Sequence, residues 1–228
     1  MDFTFGICAT KENSDFHEVI IDSILSQNIP NVEIIFIGES CPNHPSIKFI
    51  YFEESIREGW ITKKKNTITK FASNENIVFM HDYIQLLPGW YDEFLKFGND
   101  FEVCMNRIQN LDGKRNIDWI LYYQDLQFDN AEQLLPYDRE FSKLMYIPGF
   151  YWVAKKQFMQ SHPLNENLIW GMAEDVEWSK RIREEIVFKI NQHSVVQFLK
   201  QKEYTLNEIS PDNMLTLERY HKERTQND

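Results

Sequence analysis

The segment NENIVFMHDYIQLLPGW (residues 74–90) gives the strongest structural signal in the chain. Its apolar residues 77–80 run directly into His81 and Asp82, and a Pro88-Gly89 pair precedes a predicted helix. An unbroken apolar run of this kind is typical of a strand that is buried on both faces of a parallel sheet. The segment therefore predicts a buried strand with polar, metal-competent side chains at its carboxyl end.

The first 90 residues alternate between apolar runs and helical periodicities. Strands are predicted over residues 3–9, 32–37, 47–52 and 77–80, and helices over residues 16–24 and 61–72. This alternation indicates a single α/β domain with a mostly parallel central sheet and helices on both faces. Because ligands bind at the carboxyl ends of the strands in such sheets, we expect Thr10, Glu39 and the His81-Asp82 pair to converge on one crevice.

The second half of the chain is less regular. A strand over residues 101–108 is expected to form a small antiparallel hairpin with residues 117–123, and residues 125–142 to form a long loop with a helical piece. Further strands are predicted over residues 146–154 and 187–199, and helices over residues 155–161, 173–185 and 211–220. The Pro148-Gly149 turn and the aromatic residues after it either line a ligand site or pack in the core.

Composition limits the possible functions. The chain has 228 residues, 43% of them hydrophobic, and a formal net charge of −11, which argues against a nucleic-acid binder. Its three cysteines are far apart and form no CxxC pattern, as in a reduced cytoplasmic protein. Neither a signal peptide nor an apolar run long enough for a transmembrane segment is visible. We therefore expect a soluble, cytoplasmic protein that could still work at a membrane surface.

His81 and Asp82 could bind a divalent cation, Mn²⁺ or Mg²⁺, which would in turn bind a diphosphate. His193, which follows a predicted strand, is a candidate third ligand if it lies close to them. The alternatives are that Asp82 caps the helix near Pro88 and that His193 is an ordinary hydrogen-bonded or exposed histidine.

A second candidate feature is the basic run at residues 63–65, followed by Asn66. Three consecutive lysines on a helix cannot all face the core, so two of them are expected in solvent. The third, for which Lys65 is the candidate, would point into the crevice as a charge for a phosphate. The alternative is a charged outer face of the helix.

The third feature is the segment WGMAEDVEWSKRI (residues 170–182). Glu174 and Asp175 fall in the first turn of a predicted helix, where negative charge is stabilised by the helix dipole. One of these carboxylates could instead act as the general base for an acceptor hydroxyl. Trp170 and Gly171 would supply an aromatic platform and a flexible joint, which suit the stacking of a sugar.

Together these segments resemble the family 2 glycosyltransferases and their nucleotide-sugar-binding GT-A fold, over about residues 3–199. Residues 3–10 resemble the family's first strand, and EIIFIGES (33–40) its second, with Glu39 at the acidic tip. KKKN (63–66) resembles the basic signature that precedes the metal strand, and FMHDYIQLLPGW (79–90) the strand with the Asp-X-Asp motif. Glu174-Asp175 resembles the family's Glu-Asp pair.

The resemblance implies an inverting transfer of a sugar from a nucleotide-diphosphate sugar, UDP being the commonest nucleotide, to a glycan or glycoconjugate acceptor. It implies Asp175 as catalytic base with Glu174 beside it, and Mn²⁺ or Mg²⁺ held by Asp82, His81 and His193. The implied nucleotide-sugar contacts are Thr10, Glu39, Lys65, Asn66, His81, Asp82, Trp170 and Gly171. The nucleotide-sugar half would span residues 1–100, the acceptor half 101–200, and a polar extension 201–228.

One departure from the family pattern concerns the metal motif. The last aspartate of Asp-X-Asp falls on Tyr83 and the first on His81, so only Asp82 supplies a carboxylate. Either Asp82 and His193 hold a metal, or its affinity is low, or the lysines neutralise more of the charge. Two other functions stay open: a non-catalytic sugar- or nucleotide-binding module, and a sugar-nucleotide nucleotidyltransferase, although the segment after the first strand has no glycine-rich loop.

Overall fold

The structure is a computed structural model that describes residues 1–123, 131–202 and 204–225. The strands are β1 (Phe3–Cys8), β2 (Glu33–Gly38), β3 (Ile47–Tyr51), β4 (Asn76–His81), β5 (Ile84–Leu86), β6 (Val103–Gln109), β7 (Ile120–Tyr122), β8 (Glu132–Leu134), β9 (Met145–Tyr146), β10 (Tyr151–Lys155) and β11 (Lys189–Phe198). The α-helices are α1 (His17–Leu25), α2 (Ile61–Phe71), α3 (Trp90–Phe97), α4 (Lys156–Ser161), α5 (Glu174–Ile182) and α6 (Pro211–Thr225).

Eight of these strands form one sheet in the order β3-β2-β1-β4-β10-β6-β11-β5. β1, β2, β3 and β4 are mutually parallel, and β6 and β11 are parallel to each other, whereas β10 and β5 run antiparallel to their neighbours. In register, Cys8 pairs with both Ile37 and His81, so β1, β2 and β4 end at the same edge. This mostly parallel sheet confirms the predicted α/β class.

Helices cover both faces of the sheet, as expected. On one face Phe3 and Phe5 of β1 pack against Trp90 of α3, with ring centroids 5.1 and 5.5 Å apart. On the other face Gly6 lies under α2 so closely that an added Cβ would fall 2.3 Å from Cγ2 of Ile68. Covered in this way, β4 is buried from residue 76 to residue 80, which explains its apolar sequence.

The second half differs from the expected hairpin. Gln109 and Arg115 form a single antiparallel bridge, but β7 then leaves β6 and pairs with β8 and β9 in a separate three-stranded antiparallel sheet. The strand expected over residues 146–154 is two strands, β9 and β10, because Pro148 and Gly149 interrupt the backbone pairing.

The burial of apolar residues depends on where their element lies in the fold. β3 is an edge strand and is half-buried or exposed along its length, although its sequence is as apolar as that of the inner strands. Val19, at helical spacing in α1, is 44% exposed, and the helix buries Ile20, Ile21 and Ile24 instead.

Parts of two predictions lie outside the described residues, namely positions 125–130 of the expected loop and positions 203 and 226–228 of the expected extension. Within the described ranges, no helix is both long and apolar enough to cross a membrane.

Candidate functional site

An open cavity of about 600 Å³ lies at the carboxyl end of β4, where ligands bind in sheets of this kind. It brings together five of the residues that the sequence singled out, namely His81, Trp170, Gly171, Glu174 and Asp175. The other residues lining it are Tyr83, Glu132, Tyr146, Gly149, Phe150, Ala173, Val176 and Tyr204.

Two carboxylates at the start of α5 form one wall of the cavity. Asp175 Oδ2 accepts a hydrogen bond from the backbone N–H of Gly149 at 2.8 Å, and its Oδ1 accepts one from the N–H of Val176 at 2.9 Å. Since each carboxylate oxygen has two lone pairs, these bonds fix the group's orientation and leave it able to accept a proton. Glu174 beside it is 5% exposed, and burial raises the pKa of its carboxyl against the opposing charge of Lys65.

A buried lysine lies behind these carboxylates. Lys65 of α2 is 1% exposed, its Nζ donates to the carbonyl oxygen of Gly149, and its ammonium lies 4.4 Å from the ring centroid of Trp152. Burial lowers the pKa of Lys65, and the carboxylates of Glu174 and Asp175 oppose that shift. The two carboxylates of the cavity wall therefore have a cation behind them in the protein interior.

The expectation that two of the three lysines lie in solvent was wrong. Lys64 and Lys65 are both buried, together with Ile61 and Ile68, and these four positions are spaced as one face of a helix. Only Lys63 lies at the surface, where it pairs with Glu166 at 2.8 Å.

The loop before α5 has an unusual backbone. Gly171 and Ala173 have positive φ values of 82° and 54°, and Ala173 is the N-cap of the helix. A non-glycine residue in the left-handed region is uncommon and is often found at functional sites. Trp170 in this loop is 70% exposed and lines the cavity, while its backbone N–H donates to Gly59 O at 2.8 Å.

Asp82 does not face the cavity. It is 1% exposed, and its carboxylate accepts hydrogen bonds from the N–H and Oγ1 of Thr10 and, at 2.7 Å, from Nδ2 of Asn13. Nε2 of His17 lies 3.4 Å away from the same carboxylate. Asp82 is thus the centre of a buried polar network that anchors the segment after β1.

Its neighbours His81 and Tyr83 do face the cavity, and Nδ1 of His81 lies 3.0 Å from the Tyr83 hydroxyl. Burial lowers the pKa of His81 well below its ordinary value, and the charges of nearby lysines lower it further, so the ring is neutral. Its Nε2 is buried and has no hydrogen-bond partner among the residues that the structure describes.

The residues present do not fit a divalent metal. In the described ranges, no three His, Cys, Asp or Glu side chains are placed to hold a metal ion. His193 is exposed in an irregular stretch of β11 between Asn191 and Val195, and β10 and β6 separate that strand from β4. The structure therefore does not bring His193 to His81 or Asp82, and Asp82 is already occupied by protein donors.

The remaining predicted contacts do not line the cavity. Glu39 is exposed at the end of β2 and accepts a hydrogen bond from the N–H of Glu54 at 3.2 Å. Nζ of Lys64 donates hydrogen bonds to the carboxylate of Glu54 and, at 3.0 Å, to the carbonyl oxygen of Ala9. Asn66 donates to Leu164 O at 2.9 Å and so anchors a loop at the surface of α2.

Two groups of residues near the cavity were not predicted from the sequence as site residues. Tyr204 donates a hydrogen bond to Glu132 at 2.6 Å on the cavity wall, and this contact helps to raise the pKa of Tyr204 to about 12. The ammonium groups of Lys200 and Lys202 lie 4.4 and 3.9 Å from the ring centroid of Tyr83. All these groups lie outside the motif segments, in parts of the chain without clear periodicity.

No known family profile matches the chain, and no curated protein matches it in sequence. Solved structures of GT-A-type glycosyltransferases are similar to it. GalNAc-T7 with UDP, GalNAc and Mn²⁺ has a TM-score of 0.63 and 11% identity over 89% of this chain and 44% of that one. S. aureus TarS 1–349 has a TM-score of 0.57 and 15% identity over 96% of this chain and 64% of that one.

TarS 1–349 in complex with UDP-GlcNAc likewise has a TM-score of 0.57, at 12% identity over 95% of this chain and 61% of that one. The chain thus spans 44% to 64% of the length of these three structures. At such low identity, the likeness shows a GT-A-like glycosyltransferase fold.

Proposed function

We propose that this GT-A-like domain is a glycosyltransferase that moves a sugar from a nucleotide-diphosphate sugar to a hydroxyl group of a glycan or other acceptor. The observation that carries this proposal is the Asp175 carboxylate, held on the cavity wall by the N–H groups of Gly149 and Val176. The similar structures support the class of donor, because GalNAc-T7 contains UDP and TarS contains UDP-GlcNAc. A uridine diphosphate sugar is therefore the first donor to test.

The mechanism that suits this geometry is a single inverting displacement. Asp175 accepts the proton of the acceptor hydroxyl as that oxygen attacks the anomeric carbon, and the bond to the nucleotide diphosphate breaks on the opposite side. The anomeric carbon passes through an oxocarbenium-like transition state. Asp175 suits the role of base because its two backbone hydrogen bonds orient it before the substrate arrives.

Glu174 and Lys65 support this base. Glu174 is largely buried beside Asp175, and Lys65 donates from the interior to the carbonyl oxygen of Gly149, the residue whose N–H donates to Asp175. Because Lys65 is buried, its cation stabilises negative charge nearby more strongly than it would in solution. We assign it to the electrostatic balance of the carboxylate pair, not to direct contact with the donor, because its ammonium is enclosed by Gly149 and Trp152.

The proposed donor contacts are the cavity residues His81, Trp170 and Gly171, with Thr10 and Glu39 at the ends of β1 and β2 on the nucleotide side. Trp170 is exposed and able to stack on a sugar ring. We assign no step of the mechanism to a metal, because among the described residues the His81-Asp82-Tyr83 donor set does not fit a divalent cation.

A matched set of variants tests the proposal. Wild type, Asp175→Asn, Glu174→Gln and the surface control Glu177→Gln would be incubated with UDP-glucose, UDP-GlcNAc or UDP-GalNAc and a panel of saccharide acceptors, and UDP release measured. Removing a general base lowers turnover by about 10²–10⁴-fold, so Asp175→Asn should lose activity and keep UDP binding. Turnover of Asp175→Asn near that of the wild type would place the base elsewhere.

A non-catalytic sugar- or nucleotide-binding module is the second candidate. It is favoured by the burial of Asp82, which leaves the altered Asp-X-Asp motif without a carboxylate facing the cavity. In the same experiment, such a module would bind UDP or a UDP-sugar in calorimetry and release no UDP with any acceptor. The variants Asp175→Asn and Glu177→Gln would then behave alike.

A further inference from the structure

Two lysines that follow the last sheet strand lie where the fold leads one to expect a metal. Lys200 and Lys202 come directly after β11, whose Phe198 pairs with Ile84 of β5 and so lies next to the end of β4. The backbone N–H of Leu199 donates to Tyr83 O at 2.8 Å, which holds the start of this segment against the His81-Asp82-Tyr83 tripeptide. Both ammonium groups then lie over the Tyr83 ring, which is part of the cavity wall.

Lys200 is connected to the carboxylate of the altered motif through one side chain. Its Nζ donates to Oδ1 of Asn13 at 2.9 Å, and Nδ2 of Asn13 donates to Oδ1 of Asp82 at 2.7 Å. Asp82 therefore positions a lysine by way of Asn13 instead of holding a cation directly. The contact fixes the carbon chain of Lys200 while its ammonium keeps further donors, since an ammonium has three.

Polar and aromatic contacts, not ion pairs, hold the two lysines in the part of the chain that the structure describes. Among the residues that the structure describes, Lys200 and Lys202 form no ion pair with a carboxylate, and their contacts are Asn13 and aromatic rings. Burial lowers the pKa of Lys202, and the neighbouring charge of Lys200 lowers it further. Two cations without a direct carboxylate partner, held close together beside a residue of the cavity wall, are a typical feature of an anion site.

A polar atom without a partner lies at the same place. Nε2 of His81 is buried and unpaired among the described residues, and His81 lines the cavity. Nδ1 of His81 lies 3.0 Å from the hydroxyl of Tyr83, and both ammonium groups lie over the Tyr83 ring, so the lysines are near the imidazole. In the tautomer in which Tyr83 donates to Nδ1, Nε2 carries the proton and would donate it to an oxygen of a bound anion.

We infer that Lys200 and Lys202 bind the diphosphate of the donor in place of a divalent cation, so that donor binding and the departure of the nucleoside diphosphate do not require metal. This inference rests on the proposed function, and it names the residues that neutralise the leaving group. As the glycosidic bond breaks, its electron pair stays on the terminal phosphate oxygen, and the two ammonium groups stabilise that charge. Lys64 and Lys65 remain buried and serve the interior of the site.

The experiment is calorimetric titration of the protein with UDP and GDP, in EDTA and in Mn²⁺. It uses the wild type, the double variant Lys200→Gln/Lys202→Gln, Lys202→Arg, and the control Lys189→Gln, which alters an exposed lysine at the far end of β11. We expect one nucleotide to bind the wild type equally well in EDTA and Mn²⁺. Because charge-assisted contacts to phosphate are the strong ones, the double variant should bind about tenfold or more weakly, with Lys202→Arg and Lys189→Gln close to wild type.

The outcomes separate this inference from the proposed function. Two results would overturn the role of the lysines and leave the glycosyltransferase proposal standing. One is nucleotide binding that appears only with Mn²⁺. The other is equal nucleotide affinity of the double variant and Lys189→Gln in EDTA. No binding of either nucleotide in both conditions removes support from the proposed function and overturns this inference with it. The comparison of EDTA with Mn²⁺ needs only the wild type, so it decides the question of metal even if the double variant fails to fold.

Discussion

Lys65 and Asp175 both form hydrogen bonds with the backbone of one residue, Gly149. Lys65 Nζ donates to the Gly149 carbonyl oxygen, and the Gly149 N–H donates to Asp175 Oδ2 at 2.8 Å. The residue thus connects a buried cation of α2 to a carboxylate of α5, and its conformation sets the position of the proposed base. From the sequence, the turn that contains Gly149 could either line a ligand site or pack in the core. In the structure, Gly149 lies on the cavity wall.

Replacing Gly149 with alanine should reduce activity far more than stability. An added Cβ would lie 3.1 Å from Asp175 Oδ2 and 3.2 Å from Glu174 Oε1, closer than ordinary contacts. The carboxylates must then move, and a shift of up to about 1 Å should lower kcat by up to about a hundredfold. Steady-state UDP release would measure this, with UDP affinity from calorimetry as the check that the site remains folded. Unchanged kcat would show that the carboxylates are not held by this contact.

The variant Glu174→Gln should be more stable than the wild type at neutral pH. Burial raises the pKa of Glu174 above its ordinary value of 4.5, so the folded state holds this proton to higher pH than the unfolded state does. The contribution of Glu174 to the free energy of unfolding therefore falls as the pH rises from 4.5 through the raised pKa. Glutamine has no charge at any of these pH values and does not show this loss.

Urea unfolding at neutral pH and at pH below 4.5 would measure the difference, which should be largest at the higher pH and small at the lower one. Glu177→Gln on the exposed face of the same helix is the control and should show no such trend. A Glu174→Gln variant that is less stable than the wild type at neutral pH would mean that attraction to Lys65 outweighs the cost of burial.

Removing the carboxylate of Asp82 should destabilise the protein whether or not metal is present. Asp82→Ala leaves the donors of Thr10 and Asn13 without their buried acceptor. Because hydrogen bonds to charged groups contribute about 1.5–3 kcal/mol each, we expect a loss of about 3 kcal/mol in the free energy of unfolding.

Urea denaturation with EDTA and with Mn²⁺ would measure this loss. Asp112→Asn, in an exposed turn, serves as the control. Stabilisation of the wild type, and not of Asp82→Ala, by Mn²⁺ would instead assign Asp82 to a metal site.

Trp170→Ala should weaken substrate binding with little effect on folding. The side chain is 70% exposed, so its removal costs little buried area, yet it lines the cavity. Loss of an aromatic contact with a sugar corresponds to about a tenfold increase in KM for the donor or acceptor that stacks on it. Met172→Ala is a matched control, since Met172 lies in the same loop, is 53% exposed and does not line the cavity. Equal KM values for the two variants would remove Trp170 from the binding site.

Local sequence patterns predicted most of the sheet, because the inner strands are buried on both faces and are continuously apolar. They also placed Glu174 and Asp175 at the start of a helix on the cavity wall. The role of Asp82 was not predicted, because Asp82 lies in the turn after β4, where the strand period no longer applies. Its burial depends on Thr10 and Asn13, which are distant in the chain and surround its carboxylate.

Lys200, Lys202 and Glu132 had no comparable local signal. Their positions depend on pairings between distant parts of the chain, such as the hydrogen bond from Gln85 to Gln197 across 112 residues. The periodicity of a segment indicates which of its faces is buried, but it does not indicate which distant strand will lie beside it. The burial of Lys64 and Lys65 was different, since their helical spacing with Ile61 and Ile68 already indicated it.

The interleaved strand order also has a consequence for the timing of assembly during synthesis. β10 and β6 lie between β4 and β11, and in the main sheet β5 pairs with β11 alone, so β4 and β5 keep unpaired edges when they emerge from the ribosome. The free edge of β4 must wait for β10, and that of β5 for β11, and long-range pairing of this kind folds slowly. Chaperone binding to the nascent chain would therefore be expected until β11 has been synthesised.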